Sequence, residues 1–361
     1  MLALDGARAI AVVAMVFGHT FSALISPAGM QVPWVTTYWH VRAFTSPLFL
    51  FVSGWVLFFV ITRRGLSGTA VFRAYLPRVA LLFTLGYLLR FPIWDLGGLL
   101  RLDAQLWRYF ATFDALQCIA AAMLVTLFIC AWIRRTWVRV ALLSSFAGII
   151  ALSAPWVWRA LGGPTIPGVV AQTFGGGESL FPFFPWTAYF FAGASVGAVV
   201  QSRASSPLRL AAIAAVATAV AFSKWPWAHL PPTEVMRFVG GIAIVSCVVT
   251  GALLLPRWLN HSLAGVGRAS LWAYVMHLPV VYGWGYWHGM ATRVGPILDD
   301  REALLVAVAM VLATVSVSVL AQRRLGGGRW KLLGAQAFSW ALRRLGRQPP
   351  VKDPLKPARP V

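Results

Sequence analysis

Three residues near the start of the chain have types and a spacing that suit acid–base chemistry. Asp5 and Arg8 are three residues apart, so on a helix they share one face and can form an ion pair. His19 follows Arg8 by eleven residues, close to three helical turns, which places it on the same face roughly 16 Å farther along. A neutral histidine in such a position can act as a general base or as a nucleophile.

The apolar stretch around these residues makes them candidates for function. Ionisable groups inside a membrane segment are rare and unfavourable, so each needs an explanation. An anchor at the inner membrane interface would explain Asp5 and Arg8 on their own. A lone buried histidine is usually a satisfied polar contact, but His19 shares its face with an Asp/Arg pair, which favours a functional role.

The composition shows which elements must position these residues. Hydrophobic residues make up 59% of the 361 residues and charged residues only 11%, against about 25% in soluble domains. A soluble protein this apolar could not cover its surface with polar groups, so the apolar surface must face lipid. The formal net charge of +21 does not indicate nucleic-acid binding, because the cations lie in short clusters between apolar runs.

Apolar runs of roughly 20 residues, long enough to cross the hydrocarbon layer, predict an all-α, polytopic membrane protein. We expect about ten transmembrane helices around a central polar cavity. The count is open by one or two, because one run is short and another is interrupted by charge. The predicted spans are 7–25, 44–62, 75–91, 115–133, 138–157, 182–200, 208–222, 236–255, 270–287 and 303–321.

The charged residues of successive loops fall alternately into two sets. One set is rich in arginine and includes the segment after Gln322, whereas the other contains most of the acids. We expect the protein to lie in the inner cell membrane. The positive-inside rule places its arginine-rich loops and both termini in the cytoplasm. We expect a transmembrane domain at 1–322 and a basic, Gly- and Pro-containing cytoplasmic tail at 323–361.

The three cysteines predict neither a metal site nor a disulfide. Cys118, Cys130 and Cys247 all lie inside apolar runs, and no two of them have CxxC spacing. Small core or lipid-facing residues are the simpler interpretation.

Several motifs together resemble a known family. The run "LDGARAIAVVAMVFGHT" at 4–20 has a cation, ten residues and a histidine; "SPLFLFVSGWVLF" at 46–58 has Pro47, Ser53 and Gly54. The run "RASLWAYVMHLPVV" at 268–281 carries the order S-x-x-x-Y-x-x-H-x-P. These resemble the membrane acyltransferases of the acyltransferase 3 type. The runs at 114–120 and 181–200 look more like the related heparan-α-glucosaminide N-acetyltransferase branch, so the branch stays open.

The first motif departs from the usual family pattern at two positions. Ala7 replaces a bulky apolar residue and Ala9 replaces a glycine. Neither change removes a reactive group, and the likeness covers roughly residues 2–290. The domain at 1–322 would then be a transmembrane acyltransferase domain.

The resemblance implies an enzyme that moves an acyl group from acyl-CoA to a hydroxyl or amine of an extracytoplasmic glycan or lipid-linked acceptor. Acetyl-CoA is the first candidate donor, and no permanently bound cofactor is implied. His19 would be the base or the acyl acceptor, and Arg8 would stabilise the thioester oxyanion or hold a CoA phosphate. Asp5 would orient Arg8. The implied setting is polysaccharide modification at the cell envelope.

Further residues are candidate substrate contacts. Tyr274 and His277 share a helix face and can line one cavity, although a hydrogen bond between helices would explain them equally well. Asp114 and Gln117 begin the fourth span and can contact the acceptor, although an N-terminal helix cap also explains Asp114.

Cations and a histidine at the membrane surfaces complete the set of candidates. His40 and Arg42 lie in the first external loop and are candidate acceptor contacts. Arg78, near the inner end of the third span, can meet the CoA phosphates, but anchoring at the inner surface explains it equally well. Ser53 and Gly54 are assigned to close helix packing.

Two other classes of function stay open. A secondary transporter could use Asp5, Arg8 and His277 as an ion or proton pathway, although intramembrane acids are scarce and no matched pair of broken helices is evident. A glycan- or lipid-binding scaffold without activity is the third possibility. Dependence on acyl-CoA separates the enzyme from the transporter. The oligomeric state is open.

Overall fold

The computed structural model describes residues 2–42, 45–163, 166–201, 251 and 255–325. Two single turns of 3-10 helix, Gly29–Gln31 and Ile93–Asp95, and an antiparallel hairpin of β1 (Gly283–Trp284) and β2 (Trp287–His288) accompany the α-helices. The helices are α1 (Leu2–Leu24), α2 (Pro33–Arg42), α3 (Thr45–Arg63), α4 (Thr69–Leu89), α5 (Leu96–Leu100), α6 (Ala104–Ala111), α7 (Ala115–Trp132), α8 (Thr136–Leu161), α9 (Gly168–Phe174), α10 (Phe183–Gln201), α11 (Arg257–Arg268), α12 (Ser270–Tyr282), α13 (Met290–Arg293) and α14 (Asp300–Leu325).

The described helices confirm an all-α membrane protein. Six of them, α1, α3, α4, α7, α8 and α14, are long and apolar enough to cross a membrane. Helix α10 corresponds to the sixth predicted span, 182–200. Apart from residues 251 and 255, the predicted spans 208–222 and 236–255 lie outside the described residues, so the total of ten stays a prediction.

The predicted span at 270–287 is too long, and a helix before it was not predicted. Helix α12 ends at Tyr282 because Gly283 has a φ of 93° and Gly285 a φ of 60°, which turn the chain into the β-hairpin. Helix α11 ends at Arg268, and a single residue, Ala269, separates it from α12. This helix is amphipathic, with a polar face and an apolar face. Because it contains no continuous apolar run, a search for membrane spans does not find it.

The connections between helices meet on two sides of the bundle. We call the side where α1 ends the distal side and the side where α1 begins the proximal side. On the distal side, Leu298 N–H donates to Leu24 O at 3.0 Å and Trp284 Nε1 donates to Leu88 O at 2.9 Å. The described loops of the acid-containing set lie there. Which side faces the cytoplasm stays a prediction.

Small residues let the helices around the site approach closely. A Cβ on Gly54 would overlap the backbone of Phe190, so the backbones of α3 and α10 are in contact. Ser53 Oγ donates to Phe49 O at 2.7 Å within α3. Both observations fit the packing role predicted for these residues.

Helix α1 carries the first motif and contacts α3, α11, α12 and α14. Ala7 and Ala9 are fully buried on it, and a Cβ on Gly267 of α11 would overlap the backbone of Asp5. The alanines that depart from the family pattern therefore lie in a tightly packed interface. That packing fixes the height and rotation of His19 relative to α12.

Candidate functional site

His19 meets the end of α12 near the distal end of α1. Its Nδ1 lies 2.9 Å from Tyr282 Oη, and the two rings are nearly perpendicular with centroids 5.6 Å apart. Nε2, the other ring nitrogen, has no hydrogen-bond partner among the described residues. Tyr282 was not among the predicted site residues, because it lies beyond the motif that ends at Pro279.

The imidazole ring of His277 lies next to that of His19. The centroids of the two imidazoles are 5.4 Å apart. His277 is fully buried and its Nδ1 donates to Ala273 O at 2.8 Å, which leaves Nε2 buried without a partner. The ring of Tyr274 lies 5.9 Å from that of His277, so the residues predicted to share a face do so beside His19.

A cavity of about 420 Å³ opens beside His19. Helices α1, α3, α4, α6, α7 and α12 all contribute to its wall, together with the segment just before α10. The polar or charged lining residues are His19, Thr45, Ser46, Arg90, Tyr109, Asp114, Tyr274 and Tyr282. The rest of the lining is largely apolar, including Met15, Phe49, Leu89 and Phe181. The site can therefore exclude bulk water around a few polar groups.

An ion pair forms part of the distal wall of this cavity. Arg90 Nη2 lies 3.0 Å from Asp114 Oδ2, and Arg90 Nε donates to the same oxygen at 3.2 Å. Asp114 Oδ1 accepts the N–H of Ala115 at 2.9 Å, so the predicted helix cap is present. Arg90 also lies over the Tyr109 ring, 5.6 Å from its centroid. Arg90 was missed as a site residue, although a cation at the end of the predicted span 75–91 was a usable signal.

Gln117 lies apart from the cavity lining. It is fully buried, and its amide contacts the backbone position of Gly86 in α4. Neither its Oε1 nor its Nε2 has a hydrogen-bond partner among the described residues. The structure thus places Gln117 between α4 and α7, one turn below Asp114.

The proximal end of α1 holds the predicted Asp5–Arg8 pair. Arg8 Nη1 lies 3.9 Å from Asp5 Oδ1, a loose ion pair, and Arg8 Nε is buried without a hydrogen-bond partner. Two other cations are close enough to act on the pair, Arg78 on Arg8 and Arg268 on Asp5. Arg8 does not line the cavity that contains His19. The two residues of the first motif therefore occupy opposite ends of one helix face.

Arg42 connects α2 to the outer part of α1. It fits against Gly18, where a Cβ would lie 2.5 Å from Arg42 Nε. Arg42 Nη2 donates to Ser22 Oγ at 3.4 Å, and its guanidinium lies 4.4 Å from the centroid of the Trp39 ring. His40 is on α2, but its side chain is outside the described part of the structure. Arg42 does not line the cavity.

Tyr38, the neighbour of Arg42 on α2, is also shielded from water. Burial raises the pKa of Tyr38 to about 12. Burial also lowers the pKa of Arg42, against the opposing effect of nearby tyrosine hydroxyls. At neutral pH Arg42 is still a cation and Tyr38 still neutral, so α2 places one fixed positive charge beside α1.

Comparison with known families agrees with this arrangement. The model of the acyltransferase 3 family, described as an acyltransferase domain, matches residues 1–323. A comparison with curated proteins found no match. The family match spans every described helix except the last residues of α14, and it includes both ends of the Arg8–His19 motif. Since a match over most of its length accompanies these motifs, the chain belongs to the acyltransferase 3 family and is a membrane acyltransferase.

Proposed function

We propose that this protein transfers an acyl group, acetyl first among the candidates, from acyl-CoA to a hydroxyl or amine of a glycan or lipid-linked acceptor at the cell envelope. The observation that carries the proposal is the position of His19 in the cavity wall, with Nε2 free of any described partner. Family membership favours this enzyme over the secondary transporter and over the inactive scaffold.

The donor would enter from the proximal side. Arg8, Arg78 and Arg268 bring positive charge to that end of α1, where CoA phosphates would bind. Arg8 and His19 are roughly 16 Å apart along one helix face, a separation that an extended phosphopantetheine arm can span. Arg8 Nε, buried without a partner, is one group that such a ligand would satisfy.

The acceptor would enter from the distal side. Arg90, Asp114 and Tyr109 form that part of the cavity wall and offer a cation, a carboxylate and an aromatic ring. Hydroxyl-rich molecules hydrogen-bond to such charged groups, and sugar rings pack on aromatic faces. This mixture suits a polar acceptor better than an acyl chain.

The reaction balances without any further reagent. His19 Nε2 accepts the proton of the acceptor hydroxyl or amine, whose oxygen or nitrogen attacks the thioester carbonyl carbon. The new C–O or C–N bond forms as the C–S bond breaks, and CoA leaves as a thiolate that takes the proton back from His19. A two-step route, in which Nε2 first accepts the acyl group itself, uses the same nitrogen.

The first test compares purified wild-type protein with His19→Ala. Thioester loss from acetyl-CoA is measured with and without an envelope-glycan extract. We expect wild-type turnover that needs the extract and a loss of at least about a hundredfold in His19→Ala, because a general base contributes on the order of 10² to 10⁴ in rate.

His261→Ala is the matched control. His261 is exposed on α11 and does not line the cavity, so its removal should leave turnover unchanged. Turnover by His19→Ala at the wild-type rate would contradict the proposal. Equal monodispersity of the three proteins in detergent shows that folding is intact.

A further inference from the structure

A second cavity, of about 560 Å³, lies on the distal side between α6, α8 and α9. It is larger than the cavity beside His19, and its volume is within the range of about 300–1,000 Å³ that ligand pockets have. Eight of its fifteen lining residues are glycine or alanine, so small side chains leave the space open. A Cβ on Gly176 would lie 2.7 Å from Gly162 N, so backbone packing shapes part of the wall.

Helix α6 contributes to both cavities. Ala104, Trp107, Arg108 and Ala111 recur at helical spacing on one face of α6, and all four line the second cavity. Tyr109, which directly follows Arg108, lines the cavity beside the catalytic histidine. The two cavities are therefore neighbours with one helix as a common wall.

The segment that follows α9 also contacts both cavities. Glu178 lines the second cavity, and Leu180 lines the first. Between them, the buried Ser179 hydroxyl accepts the N–H of Phe113 at 2.7 Å and donates to Gln172 Oε1 at 2.6 Å. These hydrogen bonds fix the partition between the cavities. A long acceptor that extends past this partition meets the second cavity next.

Three polar side chains of the second cavity have unused hydrogen-bonding capacity. Gln172 is only 3% exposed, and its Nε2 has no hydrogen-bond partner among the described residues. Within the same part of the chain, Arg108 and Glu178 have no ion-pair partner, although both line the cavity. The cavity thus offers a cation, a carboxylate and an amide donor, with no excess of either charge.

Trp107 adds an aromatic surface to these polar groups. Its Nε1 donates to Leu99 O at 3.1 Å and its ring contacts that of Phe110, so the indole is held in place while 38% exposed. Sugar hydroxyls can donate to a carboxylate and accept from a guanidinium or amide, and the C–H faces of a sugar pack on an indole ring. A fatty acyl chain would leave the same polar groups without partners.

We propose that the second cavity is a subsite for sugar units of the acceptor that are not themselves acylated, so that the acceptor is an oligosaccharide or a longer glycan. This inference rests on the proposed function and narrows its acceptor class. Binding of a remote sugar unit would hold the reacting hydroxyl or amine in place beside His19.

The direct test is the binding of glycans of different length. The envelope-glycan extract is partly hydrolysed with acid and separated into single sugars and oligosaccharides. Calorimetry then titrates each fraction into the purified protein, in a detergent without a sugar headgroup and without acyl-CoA. We expect the oligosaccharides to bind at least about tenfold more tightly than the single sugars, because only they can occupy both cavities.

Gly168→Leu is designed to fill the second cavity. Gly168 lines it at the start of α9, and an added Cβ would meet one described atom within 4 Å, Arg108 Cγ at 3.9 Å. We expect this variant to lose the tenfold preference for oligosaccharides and to bind single sugars as the wild type does. Gly148→Leu is the matched control, since Gly148 lines neither cavity and no described atom lies within 4 Å of its added Cβ.

Glu178→Gln is a second variant that keeps the shape of the cavity. Glu178 is exposed, so the change should not disturb folding. It replaces a charged acceptor by a neutral amide, and we expect oligosaccharide affinity to fall at least about fivefold, the scale of a hydrogen bond to a charged group. Single-sugar affinity should not change.

Two results would overturn the inference. One is equal affinity of the wild type for single sugars and oligosaccharides, and the other is wild-type oligosaccharide affinity in both Gly168→Leu and Glu178→Gln. If acyl transfer is nevertheless found, the proposed function stands without the subsite. If the variants lose oligosaccharide binding as expected but no acyl transfer is found, the proposed function fails and the glycan subsite stands.

Discussion

Arg90 and Asp114 show how single side chains at the ends of two helices shape the cavity. Arg90 is the C-terminal cap residue of α4, and Asp114 is the N-terminal cap residue of α7. The two side chains also form an ion pair with each other. Their side chains are about one-fifth exposed, and the cavity lies beside them. Loss of Arg90 would leave the Asp114 carboxylate half-buried without a cation.

Replacing Arg90 tests whether this pair serves the acceptor. In Arg90→Met we expect kcat/KM for the acceptor to fall at least about tenfold, because hydrogen bonds to charged groups contribute about 1.5–3 kcal/mol. KM for acyl-CoA should not change, since the donor would bind at the proximal end. Steady-state kinetics with each substrate varied in turn measures both values.

The control for this prediction is Arg101→Met. Arg101 lies on the same side, but its side chain is 77% exposed and its nearest carboxylate oxygen, in Asp95, is 3.8 Å away. A surface pair of this kind contributes little. Equal losses in both variants would mean that the effect is one of general charge, not of the cavity.

At the scale of elements, the contact between α3 and α10 supports the wall of the site. Helix α3 contributes Ser46 and Phe49 to the cavity, and its Gly54 lies against the backbone of α10. Residues of the two helices are buried together in the main core, Phe51 and Phe190 among them. The close approach depends on the missing side chain at position 54.

Adding one methyl group at this contact should separate the helices. We expect Gly54→Ala to lower the free energy of unfolding by about 1–3 kcal/mol, because an added carbon in a packed contact forces the backbone apart. Gly148→Ala, in α8, is the control: nothing lies within 4 Å of its added Cβ. There the better helix propensity of alanine should leave stability equal or raised by up to about 1 kcal/mol.

Denaturant unfolding of the purified proteins in mixed micelles compares these two variants. Equal stabilities of Gly54→Ala and wild type would show that the α3–α10 contact is looser than the structure has it. A similar loss in both variants would instead point to a general intolerance of the helices to alanine.

The sequence predicted the elements better than it predicted their contacts. The Arg8–His19 spacing and the Asp114 cap follow from local periodicity, and the structure has both on the expected helices. Tyr282 and His19 are 263 residues apart in sequence, so no local pattern joins them. Helix α11 was not predicted because it is amphipathic. Helix α12 was predicted too long because Gly283 and Gly285, which follow it, were included in the predicted span.

For the whole molecule, orientation in the membrane decides whether donor and acceptor meet the correct ends of α1. The described loops fall on two sides, and the proximal loops are those rich in arginine. The positive-inside rule would place the proximal side in the cytoplasm, where acyl-CoA is made. The proposed route for each substrate requires this orientation.

Cysteine labelling in intact cells tests the orientation. In a background without Cys247, an impermeant maleimide should label Gln105→Cys, which is exposed on the distal side, before the cells are opened. Ser67→Cys, exposed on the proximal side, should react only after permeabilisation. Cys118 and Cys130 are buried and should stay silent. The opposite pattern would invert the chain and the substrate routes with it.

The hydrogen bonds between Leu24 and Leu298, and between Ser26 and Leu298, join the first described span to the last. They also have a consequence for biosynthesis. A ribosome adding about 5–20 residues per second needs on the order of ten seconds to a minute to travel from His19 to Tyr282. During that interval Tyr282, the residue whose hydroxyl contacts His19 Nδ1, has not yet been synthesised. An unfinished chain therefore lacks this contact, and the wall of the cavity beside His19 is incomplete until α12 has been added.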